Sequence, residues 1–181
     1  MGLKLAFELT DKDLSYFRSA LRQAREAVRD AEEAEIIEAI RDVMTEIRKN
    51  EPLPDFVSQR LPQIDMMISM LQDDEWQLPL ADREHLLATF VYFGDPEDLL
   101  ADDIPVIGYL DDVIILELVK RELLHVREAY EDYCRFRDDF DRDDGKAVDP
   151  AIRRDRLDRR RQQLHQRMKR RTRREQKKSL W

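Results

Sequence analysis

Leu14, Phe17, Leu21, Ala24, Val28 and Ala31 follow one another at intervals of three, four, three, four and three residues. That rhythm puts all six on one face of an α-helix, whereas a strand would scatter them over both of its faces. Thr10, with Asp13 three residues on, has the form of a capping box at the start of this helix. The phase slips at Glu32–Glu35 and resumes at Ile36, Ile40, Val43 and Ile47. Either two helices or one long helix with a stutter fits this pattern, ending before Asn50. The chain has only four glycines, too few for the turns of a hairpin-rich sheet, and Ala, Leu, Glu and Arg favour helix.

The rest of the chain repeats the argument. Pro52 and Pro54 break the backbone, and Pro54-Asp55 suits the first turn of a new helix. Its apolar face would be Phe56, Val57, Leu61, Ile64, Met67, Ile68 and Leu71, with Pro62 kinking or splitting it. Pro79 and Asp82 announce a helix carrying Leu86, Leu87, Phe90 and Val91, which stops at Gly94. Asp111 or Asp112 would cap the longest helix, with Leu116, Val119, Leu123, Val126, Tyr130, Tyr133 and Phe140 in its core. After the polar break at residues 143–146, Asp149-Pro150 starts a last helical segment, reaching about Lys178. The expectation is an all-α bundle of about five or six helices with a projecting basic C-terminal helix. The helices ending near Phe93 and starting near Asp111 would form its central hairpin.

Charge divides the chain. Residues 151–181 hold 14 Lys/Arg against three Asp/Glu, while the whole molecule carries −8. An acidic body, residues 1–148, and an Arg-rich tail, residues 149–181, are the expected domains. Blocks of opposite charge are an interaction device. Cys134 is the only cysteine, so no internal disulfide forms. No apolar run reaches the roughly 18 residues that a membrane span needs. These features fit a cytoplasmic protein.

Phe93 to Asp112, FGDPEDLLADDIPVIGYLDD, packs seven carboxylates, two prolines and two glycines among Leu, Ile, Val and Tyr. Tyr92, Pro96, Asp98, Asp102, Ile104, Pro105, Gly108 and Asp111-Asp112 resemble the signature of the YkvA-type family, small helical bacterial domains of unknown function. The resemblance covers about residues 86–124 and departs at Ala101, where the family usually has proline. It implies a helical core and supplies no reaction.

The segment also has its own physics. Pro96 and Pro105 fix φ and push the preceding residue away from helix. Gly108 permits a positive φ. Asp98 and Asp111 precede apolar helical runs, where a carboxylate accepts hydrogen bonds from the first free N–H groups. The preferred reading is a rigid helix–loop–helix corner. The alternative is a metal-dependent domain or enzyme in which Asp98, Asp102, Asp103, Asp111 and Asp112 converge on Mg²⁺, Mn²⁺ or Ca²⁺, cations that take hard oxygen ligands. No cofactor is otherwise implied.

Two further patterns have a chemical precedent. Glu122-x-x-His125 and Asp82-x-x-His85 share the Glu-x-x-His spacing of di-iron bundles. Both histidines lie beside the apolar stripes, so solvent exposure is expected. Asp73-Asp74 and Asp138-Asp139 read as solvated surface. No nucleophile elbow, phosphate-cradling glycine loop or Cys-x-x-Cys is present, which weighs against an enzyme.

The tail carries the partner signal. Arg153, Arg154, Arg156, Arg159, Arg160, Arg161, Arg167, Lys169, Arg170, Arg171, Arg173, Arg174, Lys177 and Lys178 fall within 26 residues. Arginine suits bidentate phosphate contact. Ile152, Leu157, Leu164 and Met168 form an apolar stripe that looks too sparse to hold a packed helix. The expected function is a non-enzymatic interaction module. Its acidic body would meet a protein partner and its tail a protein or nucleic acid. Docking of the tail on its own body and attachment to a membrane surface are the alternatives.

Overall fold

A computed structural model describes residues 8–29, 31–49, 53–94, 110–143 and 148–178, with side chains in the last segment through Arg174. Among the described residues every regular element is helical: α1 (Asp11–Val28), α2 (Glu33–Lys49), α3 (Asp55–Ser58), α4 (Leu61–Gln72), α5 (Leu80–Phe93), α6 (Leu110–Glu122), α7 (Leu124–Asp143) and α8 (Pro150–Lys178). The all-α expectation holds. The stutter after Val28 is a break between two helices, and Pro62 stands just inside α4, so Pro54 and Pro62 frame the single turn of α3. Thr10 closes the start of α1 as its spacing predicts, its N–H (2.9 Å) and hydroxyl (2.7 Å) both donating to Asp13 Oδ2. The helix expected from Asp111 to Phe140 is divided at Leu123, and the longest helix is α8. The central corner expected at residues 95–109 lies outside the described residues.

The chain forms two compact units. The first comprises residues 1–61 and 84–117, the second residues 62–83 and 118–181. In the first unit α1 and α2 each bury an apolar face, with Phe17, Leu21, Ile36, Ile40 and Met44 buried. In α5, five consecutive residues from Leu86 to Phe90 are buried. A stretch buried all round has no polar face to alternate with, which is why residues 86–90 read as a block rather than a stripe. Within this unit Arg60 Nε donates to Glu117 Oε1 at 2.9 Å and Arg60 Nη1 to the Phe56 carbonyl at 2.6 Å, tying the end of α3 to α6.

The second unit is organised around Trp76, which is fully buried in the turn before α5. Its indole packs against the rings of Tyr130 and Tyr133 from α7 and His165 from α8, with centroids 5.6, 5.3 and 4.6 Å away. α7 and α8 run antiparallel. Leu157, Leu164 and Met168 of α8 are each at most 4% exposed. The basic helix is therefore packed along α7 rather than projecting from the body. Ile152, counted in its apolar stripe from sequence, is instead half exposed.

Candidate functional site

What holds α8 in place is an arginine-filled stripe. Arg153, Leu157, Arg161, Leu164, Met168 and Arg171 recur at intervals of four, four, three, four and three, one continuous helical face. The arginine stems cover apolar surface while their guanidinium groups reach carboxylates at the edge. Arg153 Nε and Nη2 donate to the two oxygens of Asp141 at 2.7 and 2.8 Å, and its Nη1 reaches Glu75 Oε1 at 2.5 Å. Arg161 Nη1 donates to the Glu75 carbonyl at 3.0 Å. Further along, Arg167 pairs with Asp132 and Arg171 with Glu128. Arg156 and Arg160 lie over the rings of Phe140 and Phe136, at 5.3 and 5.5 Å from their centroids. The partners descend along α7 as α8 ascends, which fixes the antiparallel register.

The turn between α4 and α5 closes this assembly. Asp73 Oδ1 accepts the backbone N–H groups of Glu75 and Trp76, both at 3.0 Å. Its Oδ2 accepts the Tyr130 hydroxyl at 3.2 Å and Arg137 Nη1 at 2.8 Å. The Glu75 carbonyl also accepts the Tyr133 hydroxyl at 3.1 Å. Gln77, at φ 51°, supplies the left-handed residue that turns the chain toward α5. Asp73 thus corrects the reading of Asp73-Asp74 as solvated surface: its side chain is only 9% exposed. Asp73-x-x-Trp76 ahead of Pro79 was the available signal, since an aspartate two or three residues before free N–H groups closes a turn.

These contacts leave their mark on titration. The hydrogen bond from Arg167 holds Asp132 below the usual carboxylate range, and that from Arg153 does the same for Asp141. Burial pushes the Tyr133 hydroxyl up to about 12. Burial, reinforced by Arg161 and Lys169, pushes His165 down to about 4. Burial raises Asp82, opposed by Lys169. The Cys134 thiol is likewise raised by burial, the opposite of what an activated nucleophile requires.

The basic residues singled out from sequence therefore separate into two sets. Arg153, Arg156, Arg160, Arg161, Arg167 and Arg171 face α7 or the Asp73–Trp76 turn, and Arg159 pairs within α8 with Asp155. Arg154, Arg170, Arg173 and Arg174 are exposed and have no partner among the described residues. Lys169, also exposed, lies within electrostatic reach of Asp82.

Of the acidic loop, Pro96, Asp98, Asp102, Pro105 and Gly108 lie outside the described residues, as does Asp103. Asp111 and Asp112 both stand inside the first turn of α6 rather than capping it. Asp111 is buried, and its Oδ1 accepts the Asp112 N–H at 3.2 Å. A carboxylate in a first turn is favoured by the helix dipole. Among the described residues no group of three or more His, Cys, Asp or Glu is placed to hold a metal ion.

The di-iron spacing does not assemble a site either. Glu122 is exposed while His125 is buried, with Nδ1 3.8 Å from Glu128 Oε2. His85 is half-buried, and burial together with nearby Arg25 pushes it down to about 4. The expectation that these histidines are solvent-exposed is corrected: both flank helical stripes, but the helices around them leave little surface free.

Among the described residues no helix is long and apolar enough to cross a membrane. Nothing among curated proteins or solved structures matches this chain. Residues 85–118 match the model of a family described as "Protein of unknown function (DUF1232)", the same segment that carries the YkvA-type resemblance.

Proposed function

We propose that the protein is a non-enzymatic interaction module that attaches through the outer face of α8 to the phosphate backbone of a nucleic-acid duplex. The observation that carries this reading is the contrast between the two faces of α8. Inner arginines are matched one by one with carboxylates or rings, while Arg170, Arg173 and Arg174 stand together on the exposed surface without an acidic partner among the described residues. Spaced by three and one, they share one side of the helix. A guanidinium cluster of that kind matches phosphate geometry. No aromatic residue is interleaved in α8, so stacking on unpaired bases has no platform. A duplex also offers the denser charge. The polar groups clustered around Asp73 support a non-enzymatic reading because they are spent on one another.

The test is a fluorescence-anisotropy titration of the full chain with duplex DNA and duplex RNA over a salt series. The expected result is sequence-independent binding that weakens steeply with salt. The R170Q/R173Q/R174Q variant should flatten the log–log salt slope by roughly 2 to 3. Absence of duplex binding at low salt, or equal slopes for the two chains, would remove the reading. Flotation with anionic vesicles instead would turn it toward a membrane surface.

A further inference from the structure

A groove of about 420 Å³ runs along the C-terminal half of α8, lined by Gln163, Gln166, Arg167, Arg170, Arg171 and Arg174. Two of its four arginines are exposed and unpartnered among the described residues, Arg170 and Arg174. The other two, Arg167 and Arg171, are held by Asp132 and Glu128 of α7. The arginines of these clamps are more open to water than those nearer the start of α8. The side chains of Arg153 and Arg161 are 29% and 13% exposed, whereas those of Arg167 and Arg171 are both 42% exposed. Glu128 is itself 37% exposed, and Asp132, 24% exposed, is shared between Arg167 and Arg135. An ion pair this open to water is held weakly and exchanges its partner without any movement of the helix. Leu164 and Met168, on the buried stripe, keep α8 seated while the arginine tips swing.

We infer that Asp132 and Glu128 are internal competitors for the phosphate surface, occupying half of the groove's arginines until a polyanion displaces them. The inference rests on the duplex-binding reading and deepens it by assigning its regulation. A phosphate entering between Arg170 and Arg174 meets Arg167 and Arg171, which line the same groove at the edge of the α7-facing stripe. It offers each guanidinium a bidentate oxygen pair in place of a carboxylate. Duplex affinity is thereby set by a carboxylate–phosphate exchange rather than by arginine count, and the full chain binds more weakly than its exposed charge suggests. Such exchange gives low affinity for isolated phosphates and higher affinity for a continuous backbone, where several displacements occur together.

Asp132→Asn and Glu128→Gln remove the competing charges while keeping side-chain shape. The double variant, in the full chain, should bind duplex DNA roughly threefold to tenfold more tightly at 0.1 M salt. Each single variant, which retains one clamp and guards against misfolding of the double, should show about half that gain on a logarithmic scale. D138N/D139N, on exposed positions of the same helix, changes the net charge equally and should alter affinity less than twofold. If the double variant binds no more tightly than the native chain, or the control gains as much, the inference is overturned while the duplex reading stands. If none of the chains binds duplex, that reading fails and the inference falls with it.

Discussion

Asp73 accepts four hydrogen bonds with its two oxygens, one pair from its own turn and one pair from α7. Removing a buried acceptor leaves each of its donors to find water or go without. Asp73→Ala should therefore destabilise the protein by about 3 kcal/mol, since it also strips Arg137 of its nearest carboxylate. Asp74→Ala, one residue on and exposed, should change stability by less than about 0.5 kcal/mol. Chemical denaturation of both variants checks the contrast. His165 makes a second prediction at this scale. It sits against Trp76 with Arg161 and Lys169 on its own helix, and its folded value of about 4 lies below the ordinary 6.5. The unfolded chain thus binds the extra proton first as pH falls. Stability is full above about 6.5 and is lost as pH falls toward 4, by at most about 3 kcal/mol for this residue. His85 adds a loss of the same sign in the same window, and Asp82, raised by burial, works in the opposite direction. Asp132 and Asp141, being lowered, lose their contribution only at more acid pH. His165→Gln should remove about half of the thermal-stability slope between pH 6.5 and 4, and an unchanged slope would contradict the placement of His165.

At the level of elements, α8 is a structural member of the second unit. Leu164 is 2% exposed, and Leu164→Ala should cost about 2 to 4 kcal/mol. A chain cut after Asp149 should lose cooperative unfolding of that unit, because α8 supplies ring and arginine contacts to Trp76 and Glu75. From sequence the apolar stripe of this helix looked too sparse to hold it packed. The difference shows where sequence reading stops. α1, α2 and α5 were legible because their caps, breaks and apolar spacings are local. α8 was legible as a helix but not as a packed one. Counting Leu157, Leu164 and Met168 alone gives a stripe with gaps, and those gaps are filled by arginines whose role depends on acids in α7 and the turn at Glu75. The turn at Asp73 has a local signal, but the burial of its carboxylate was hidden for the same reason: two of its four donors, Tyr130 and Arg137, lie more than fifty residues away. The acidic stretch from Phe93 to Asp112 was noticed readily in the sequence, but of its seven acids only Asp111 and Asp112 fall within the described residues.

Over the whole molecule, charge is arranged as well as segregated. An acidic chain with a basic end would be expected to neutralise itself indiscriminately. Instead, α8 spends one face on its own carboxylates and turns Arg154, Arg170, Arg173 and Arg174 away from them. The exposed pairs are each worth only up to about 1 kcal/mol. High salt should accordingly leave α8 docked while weakening any polyanion complex, so stability and binding should respond to ionic strength to different degrees. Both the proposed duplex contact and its internal competition depend on α8 being packed. Amide hydrogen exchange on the full chain tests that directly. Residues 157–168 are predicted to exchange as slowly as residues 126–140 of α7, at low and at moderate salt alike. Exchange of 157–168 at the rate of a free helix, with α7 still protected, would contradict the docked arrangement.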